Sequence, residues 1–509
     1  MRSMRLRVLA LAALATAATF AAVAFAATGV KTSKPPYLVP TAPGVVVDPI
    51  LSTGDIVPQG QTPLYQMSGI PDGLGAYRNH GKSGHGGGKH GKKGTYTVLM
   101  NHELGVTFPG QPPGVNTRIS KLTIDARTNS VLAAKYLFTG VEGFERFCSA
   151  TLEMIKGKPW YFTGEEAING IPPAPPAGHD GSSIAMNAET GQWFETAHFG
   201  HLQHENVVPT KLKKWFFLTT DDDFRPGFDA YLYAYIADTF EAAISGDPTK
   251  GSLYVWKADA AINSTQIHKG QTLTGEFVPI TQAENANSVT LKAAAAAKGA
   301  FKFDRLEDAA LYQHKKGRYY FADTGKAPRT LRGRIYQFDV NKHDPTRASL
   351  QVVVDGDAGD DIFNPDNLDT SKGFVVIQED RESPFRGGPP PNPPVSDAGY
   401  NRVMVYDIKA KTLTSVARVA TPATLRPGTW ESSGVINAFK ILGKGWWLTD
   451  VQAHNTTAPQ PGPTLVPNSS TGEDGQLQAL YIPQTIGGKG HGDHGHGDHG
   501  RGHKKHKGR

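Results

Sequence analysis

Acidic residues follow short apolar stretches at many points along this chain. The acids after the first three stretches are Glu103, Glu165-Glu166 and Asp221-Asp222-Asp223, and those after the next three are Asp323, Glu379-Asp380 and Asp450. Carboxylates that a fold gathers in one place repel one another unless cations neutralise them. Many carboxylate oxygens together suit Ca²⁺, which takes about six to eight oxygen ligands. The recurrence therefore predicts a metal site built from carboxylates.

A cysteine and an arginine add two further kinds of chemistry. Cys148 is the only cysteine, so no intrachain disulfide can form, and a thiolate among carboxylates prefers a softer ion such as iron or zinc. Arg305 is the one basic residue inside an acidic cluster, which makes it a candidate clamp for a phosphate or a carboxylate. Taken singly, acids at strand ends also cap turns, and a lone cysteine is usually a small buried hydrophobe.

The stretches that carry these acids have the composition of buried β-strands. They occupy residues 94–103, 158–166, 214–223, 316–324, 372–380 and 444–450. A second pattern, an alternating strand that ends in a polar turn, recurs between them at residues 120–128, 183–191, 231–238, 333–339, 402–408 and 477–482. The last of these is a candidate for closing a ring with N-terminal residues.

Repeats of this kind, each a small antiparallel sheet, are typical of a β-propeller. The sequence predicts an all-β fold, a six-bladed β-propeller with inserted loops and a short helical insertion. The helix is expected within residues 283–300, because their Ala/Lys composition fills the long gap between Asp222 and Asp323. A β-sandwich or a two-domain all-β protein is the alternative.

The chain of 509 residues is predicted to have three parts. Residues 1–27 have a basic start and an apolar run that ends in small residues, which predicts a signal peptide and a secreted or periplasmic protein, with a retained membrane anchor as the alternative. Residues 28–486 form the β-propeller catalytic domain, with a His/Gly/Lys-rich insert at 79–94 and a Pro/Gly loop at 384–397. Residues 487–509 are a disordered His-rich tail. The His-rich tracts either bind transition metals loosely or are simply solvated.

The net charge of +6 comes from segments outside the predicted core. The signal, the loop from Arg78 to Lys93 and the tail are together strongly basic, which leaves about −6 for the rest of the chain. An acidic core disfavours nucleic-acid binding. No stretch after the signal is apolar for long enough to span a bilayer. We expect a monomer with no nucleic-acid partner and no stable membrane anchor.

Several motifs in a fixed order resemble the PhoX-type alkaline phosphatases. The motifs are Asn101-His102-Glu103, Cys148, Trp160 to Glu166, His204-Glu205-Asn206, Asp221-Asp222-Asp223, Arg305-Leu306-Glu307-Asp308, Pro365-Asp366-Asn367 and Glu379-Asp380, and the stretch from Gly69 to Ala76 precedes them. The resemblance runs from about Gln66 to Ile482. It implies a six-bladed propeller that hydrolyses phosphomonoesters at a calcium and iron cluster, with Ca²⁺ and Fe³⁺ as cofactors.

The resemblance also implies roles for individual residues. Cys148 corresponds to the family's iron-binding cysteine, and Arg305 and Glu307 correspond to its Arg-x-Glu element. The acids that match its ligands are Glu165, Glu166, Glu205, Asp222 and Asp223. We add Glu103 and Glu379 to the predicted ligands, because they also end strands of the repeat, and we predict Asn206 as a catalytic residue beside Arg305.

The predicted activity is metal-assisted hydrolysis of a small-molecule phosphate monoester, with Arg305 as the clamp on the phosphoryl group. Two other classes fit the sequence. A calcium propeller of lactonase or phytase type would bind fewer metals or prefer inositol phosphates. A non-catalytic, calcium-stabilised surface protein would have no activity to lose when Arg305 is replaced.

Overall fold

The computed structural model describes residues 29–58, 64–79, 94–105, 117–168, 179–225, 227–381, 399–457 and 473–486. The predicted signal peptide and His-rich tail lie outside these ranges, as does nearly all of the 79–94 insert and of the 384–397 loop. The described residues form an all-β fold with few helices. None of the helices in these ranges is long and apolar enough to cross a membrane.

The strands are short and follow one another through tight turns. In chain order they are β1 (Leu38–Pro40), β2 (Val46–Ser52), β3 (Ile56–Val57), β4 (Tyr65–Gln66), β5 (Pro71–Arg78), β6 (Thr95–His102), β7 (Arg118–Asp125), β8 (Val131–Phe138), β9 (Phe147–Ile155), β10 (Lys158–Glu165), β11 (Ser183–Asn187), β12 (Trp193–Glu195), β13 (His204–Lys211), β14 (Trp215–Asp221), β15 (Tyr233–Ala237), β16 (Gly251–Ala258), β17 (Thr272–Ile280), β18 (Leu306–Leu311), β19 (Arg318–Asp323), β20 (Arg334–Val340), β21 (Arg347–Asp355), β22 (Pro365–Ser371), β23 (Phe374–Glu379), β24 (Arg402–Asp407), β25 (Thr412–Val419), β26 (Glu431–Asn437), β27 (Trp446–Thr457) and β28 (Glu473–Tyr481). The helices are the α-helices Phe240–Ser245, Ser288–Ala297 and Phe439–Leu442 and the 3₁₀ turns Ala197–Phe199 and Ser264–Gln266.

Four sheets have a propeller-like arrangement, and each is an antiparallel meander. Their strand orders are β5-β6-β7-β8, β9-β10-β11-β12, β22-β23-β24-β25 with β1 at the outer edge, and β26-β27-β28 with β2 at the outer edge. A fifth, nine-stranded sheet has the order β13-β14-β15-β16-β17-β21-β20-β19-β18, and its two edge strands contact each other, so it is nearly closed. A short ribbon pairs β3 with β4.

The first strand of each meander lies next to the first strand of the following one. We call β5, β9, β13, β18, β22 and β26 the inner strands; each contacts the next, and β26 contacts β5, so that they surround a common axis. The N-terminal strand β2 pairs with β28 and completes the last sheet, as the sequence suggested for residues 477–482. This pairing joins the two ends of the described chain within one sheet.

The acid-ended stretches of the sequence are all strands. They correspond to β6, β10, β14, β19, β23 and β27, each of which pairs with an inner strand. The alternating stretches correspond to the strands that follow: β7, β11, β15, β20, β24 and β28. The predicted inserted helix is present at Ser288–Ala297, where Asn287 and Thr290 form a capping box at its N-terminus.

Apolar side chains of facing sheets fill the space between them. One such cluster joins Phe162 and Phe217, and another joins Val376 and Trp447. Burial of this much apolar surface is the main stabilising term in a fold without disulfides. It also fixes the inner strands rigidly, so the polar residues at their ends are held in defined positions.

Candidate metal centre

The inner strands begin at one end of the axis, and each has a residue that could bind a metal in its first or second position. Asp72, Cys148, Glu205, Glu307 and Asp366 each occupy the second position of their strand, and Glu431 opens β26. Each inner strand also shifts register against its partner next to this position. A β-bulge bends the strand locally and re-aims its side chains. The same irregularity therefore recurs wherever the fold delivers a ligand.

The partner strands add a second set of ligands at the same end. Glu103, Glu166 and Asp380 directly follow β6, β10 and β23. We call all nine residues the axial ring: Asp72, Glu103, Cys148, Glu166, Glu205, Glu307, Asp366, Asp380 and Glu431. They form four overlapping groups, and within each group the ligand atoms lie within 4.8 Å of one another. The groups are Asp72–Glu103–Cys148, Cys148–Glu166–Glu205, Glu205–Glu307–Asp366 and Asp366–Asp380–Glu431.

Strand alternation explains why the acids occur in pairs. Successive side chains of a strand point to opposite faces, so Glu166 joins the axial ring while Glu165 points away. Glu165 accepts hydrogen bonds from the backbone N–H groups of Glu145 (2.8 Å) and Gly181 (3.0 Å). Asp221, Asp323 and Glu379 accept backbone N–H groups in the same way. We call these four residues the anchoring acids, because they hold loops at the mouth of the axis.

Cys148 lies between two of the groups. Its Sγ is 3.1 Å from Glu166 Oε2. Asn101 donates to the Cys148 carbonyl (2.6 Å), which fixes the backbone at this point. Arg146 pairs with Glu103 (3.1 Å) and with Glu166. The Cys148 sulfur thus has four carboxylates near it, those of Asp72, Glu103, Glu166 and Glu205, and two of them pair with Arg146.

Arg305 is held beside the axial ring by two carboxylates. Its Nε and Nη2 donate to the two oxygens of Asp222 at 2.8 and 2.6 Å, and Nη2 lies 3.0 Å from Glu307 Oε1. The ring of Phe224 lies near both Arg305 and Arg146, with its centroid 5.9 and 5.4 Å from the two guanidinium carbons. Asp222 therefore acts in this structure as the support of Arg305 and lies outside the four groups.

Two other predicted ligands have protein cations as partners. Asp223 pairs with Arg225 (2.6 Å) and with Lys292 (2.6 Å), which reaches in from the inserted helix. Glu379 is bound by Arg381 and Arg402, each at 2.7 Å. Both carboxylates are fully buried. Burial alone would raise the pKa of Glu379, but the two arginines outweigh it and lower that pKa.

A layer of polar side chains lies directly below the axial ring. Asn367 donates to Ser149 (2.6 Å), which belongs to an inner strand on the other side of the axis, and Ser433 donates to Asn367 (3.3 Å). Asn206 donates to Asp308 (2.5 Å) and to the Ala309 carbonyl (3.1 Å). We call Ser149, Asn206, Asp308, Asn367 and Ser433 the polar floor. The predicted catalytic residue Asn206 thus lies in this floor and not among the ring side chains.

Burial and mutual repulsion weaken the acidity of the ring. Burial raises the pKa of Glu166 to about 8 and that of Glu431 to about 7. The pKa values of Asp72 and Glu205 lie well above their usual range, because burial and then neighbouring carboxylates disfavour the charged form. Burial, followed by Glu103 and Glu166, likewise raises the pKa of the Cys148 thiol. A cation bound here would reverse this balance and displace protons.

The donor set of the axial ring fits metal ions. Arg146, Arg305 and His454 contact some of its carboxylates. Within the described part of the chain, however, the Asp366 carboxylate has neither a hydrogen bond nor an ion pair, and burial and then neighbouring acids raise its pKa well above its usual range. Carboxylate oxygens suit Ca²⁺, and the single thiol suits iron. The described cations near the axial ring therefore do not neutralise all of its carboxylates.

Four members of the ring were not among the ligands predicted from the sequence. Asp366 and Asp380 stand in acidic motifs that the sequence showed, and Asp72 lies in the Gly69–Ala76 stretch. The sequence did not indicate Glu431, because β26 begins with polar residues that do not have the composition of a strand. The neighbouring Gly73 could have indicated Asp72, because a Cβ added at Gly73 would lie 2.4 Å from the Cys148 carbonyl oxygen. Only glycine permits that approach of two inner strands.

No protein-family model matches this chain, and no curated protein matches it. Among solved structures it is similar to Pseudomonas fluorescens PhoX in complex with vanadate, a transition state analogue, with a TM-score of 0.57 and 12% sequence identity over 89% of this chain and 97% of that one. An α-L-arabinofuranosidase from Lactobacillus brevis is also similar, with a TM-score of 0.33 and 12% identity over 65% of this chain and 89% of that one. The first likeness shows a distant PhoX-like fold, whereas the second is too weak to indicate a shared fold.

Proposed function

We propose that this chain is an exported alkaline phosphatase, which hydrolyses small-molecule phosphate monoesters at the axial ring. The observation that carries the proposal is the set of four overlapping ligand groups with Arg305 fixed beside them. Calcium and iron would be held by Glu103, Cys148, Glu166, Glu205 and Glu307, together with Asp72, Asp366, Asp380 and Glu431. The bound ions supply positive charge that offsets the charge of the phosphoryl group.

The chain's own residues position the substrate. Arg305 offers guanidinium N–H groups to the phosphoryl oxygens, and Asp222 and Glu307 keep it from swinging away. Arg146, which also lies near Phe224 and pairs with Glu103 and Glu166, provides a second guanidinium. Donors fixed before the substrate arrives need no reorganisation in the transition state, which is the main source of electrostatic catalysis. The polar floor closes the site from below.

We also propose that the fold counts as a six-bladed propeller. In the nine-stranded sheet, β13–β16 and β18–β21 each repeat the four-strand meander of the other sheets, and β17 joins them at their outer edges. Both meanders begin with an inner strand and carry the same register shift. The nine-stranded sheet is then two blades bridged by an additional strand.

The test is hydrolysis of p-nitrophenyl phosphate at alkaline pH by the mature full-length chain, with calcium and with a chelator. We expect turnover that the chelator abolishes and that added calcium and iron restore. Arg305→Met should lower kcat/KM by about 10²–10³-fold, as loss of one transition-state donor does in other enzymes. Arg225→Met is the matched control, since Arg225 supports Asp223 and makes no contact with the axial ring among the described residues.

Two results would end the proposal. One is the absence of turnover from a protein whose melting temperature calcium raises, which would indicate a structural calcium site. The other is an Arg305→Met variant with normal metal content and normal turnover. Arg305→Lys separates charge from geometry: it keeps the cation but loses the bidentate contact, so an intermediate rate is expected.

A further inference from the structure

The opposite end of the axis holds a large cavity that the proposed phosphatase site does not use. Its volume is about 1480 Å³. All six inner strands line it with residues that follow their axial-ring positions, among them Ala76, Leu152, Val208, Leu311 and Ile436. The axial ring lies at the first residues of the same strands. The cavity and the ring are therefore two separate sites on one axis.

The polar floor separates the two sites. The hydrogen bond between Asn367 and Ser149 (2.6 Å) crosses the axis, and Asn206 with Asp308 closes the adjacent side. Four acids line the cavity. Asp407 accepts the backbone N–H groups of Lys409 and Ala410, and Glu153 lies near Lys440. The other two accept backbone N–H groups of neighbouring inner strands. Asp308 accepts from Leu368 (3.0 Å), and Asp369 accepts from Asn437 (2.7 Å). These acids link neighbouring inner strands and do not present free carboxylates to the cavity.

The rim of the cavity is basic. It carries Arg78, Lys316, Lys372, Lys409, Lys440 and Lys444, which lie at the turns beyond the inner strands. In the described part of the chain Lys316, Lys372 and Lys409 form no ion pair. Burial raises the pKa of Glu153, and the positive charge of Lys440 partly offsets this rise. The stretch that ends in the ring acid Asp380 begins with Lys372 at this rim, and the stretch that ends in the anchoring acid Asp323 begins there with Lys316. The two ends of the axis thus carry opposite charge.

We propose that this cavity binds an amphiphilic anion, an aliphatic chain with an acidic head group. Pockets lined mainly by apolar side chains with a few placed polar groups are typical ligand sites. The aliphatic walls suit the chain, and Met154, which is 50% exposed and lines the same wall, adds further apolar surface. The lysines of the rim suit a sulfonate, carboxylate or phosphate head. A cationic head group would meet like charge there.

Isothermal titration calorimetry of the full-length chain with 1-decanesulfonate, below its micelle concentration, tests this assignment. This probe cannot be hydrolysed, so the result does not depend on the proposed phosphatase activity. We expect saturable binding of one equivalent. Decyltrimethylammonium, with the same chain and the opposite charge, and methanesulfonate, with the head group alone, should not bind measurably.

Variants locate the site. The double variant Lys316→Glu/Lys372→Glu should weaken binding by about tenfold or more, since it places like charge beside the head group. Met154→Asp should weaken it by removing apolar wall. Lys257→Glu, an exposed lysine on β16 that does not line the cavity, should leave it unchanged. All four positions are exposed, so the fold should survive, which circular dichroism checks.

Three outcomes would overturn the proposal. They are no saturable binding of decanesulfonate, equal binding of the cationic amphiphile, and wild-type affinity in both the charge-reversed and Met154→Asp variants. Binding only to anionic vesicles, with none to the monomeric probe, would also reject a cavity ligand. Arg305→Met should retain decanesulfonate binding, and loss of binding in that variant would place the probe at the axial ring.

Discussion

The axial ring and the anchoring acids are built from neighbouring residues, yet they meet opposite environments. Glu166 faces the axis among other carboxylates, whereas Glu165 faces a loop and accepts two backbone N–H groups. Glu379 and Asp380 divide in the same way: the first has two arginines, and the second belongs to a ligand group. In both pairs, therefore, one acid at the strand end stabilises the fold and the other belongs to the axial ring.

The largest expected effect separates the members of one such pair. Glu166→Gln should lower turnover by more than the roughly 10–100-fold that loss of a supporting residue costs at metal sites, because a direct ligand is lost. Glu165→Gln should retain metal and turnover in the folded protein. It should instead lower the free energy of unfolding by about 1–3 kcal/mol, since the Gln amide NH2 would face one of the two buried backbone N–H donors and leave it without an acceptor. Kinetics, metal analysis and urea denaturation of both variants give the comparison.

The opposite pattern would break the distinction. If Glu165→Gln lost metal while Glu166→Gln kept it, the assignment of the two faces would be wrong. Equal loss in both variants would mean that the pair acts as one unit.

The next largest effect concerns the cation that the inserted helix provides. Lys292 is buried and donates to both oxygens of Asp221 at 2.8 Å. Lys292→Met should lower the free energy of unfolding by about 3–5 kcal/mol, the usual cost of leaving a buried charge without its partner. Lys298→Met, near the end of the same helix and paired with Glu284, should cost less than about 1 kcal/mol. A Lys292→Met protein as stable as the control would contradict the role of Lys292.

A smaller effect is the pH dependence of the metal-free protein. Folding raises the pKa of Glu166 from 4.5 to about 8, and that of Glu431 from 4.5 to about 7. Groups with raised pKa values favour the folded state below the unfolded value and lose that contribution as the pH rises through the folded value. The melting temperature of the chelated protein should therefore fall between about pH 4.5 and pH 8. Glu379, whose pKa is lowered, acts in the opposite direction.

Calcium should reduce this decline, because bound cations favour the charged carboxylates. Thermal melts of the same sample across the pH range, with chelator and with calcium, provide the measurement. A chelated protein whose melting temperature rises steadily from pH 5 to pH 8 would show that the ring carboxylates are not held at raised pKa values.

Much of the fold could be predicted from the sequence, because most strands are specified by their own residues. Strands such as β10 and β14 are dense in β-forming residues and end in acids, so their composition alone predicts them. The helix at Ser288–Ala297 was also readable, because its composition differs from that of the strands. The bridging strand β17 was not, since its pairing with β21 is a contact between residues far apart in the chain.

The residues of the candidate site could be predicted only in part from the sequence. Repetition indicated Glu166 and the family resemblance indicated Glu205, but neither could show that Glu165 points to a loop. That separation depends on the strand face, which a register shift of one residue reverses. Partners distant in sequence decided the rest: Lys292 neutralises Asp223, and Arg402 neutralises Glu379. Glu431 was missed because its strand begins with polar residues.

We propose that the axial ring holds several metal ions at once. Elemental analysis of the full-length chain, equilibrated with calcium and iron and then freed of unbound metal, measures their number. We expect at least two ions per wild-type chain and fewer in Glu205→Gln, since Glu205 belongs to two of the candidate ligand groups. A wild-type chain that binds no ion, or a Glu205→Gln chain with the wild-type number, would contradict it.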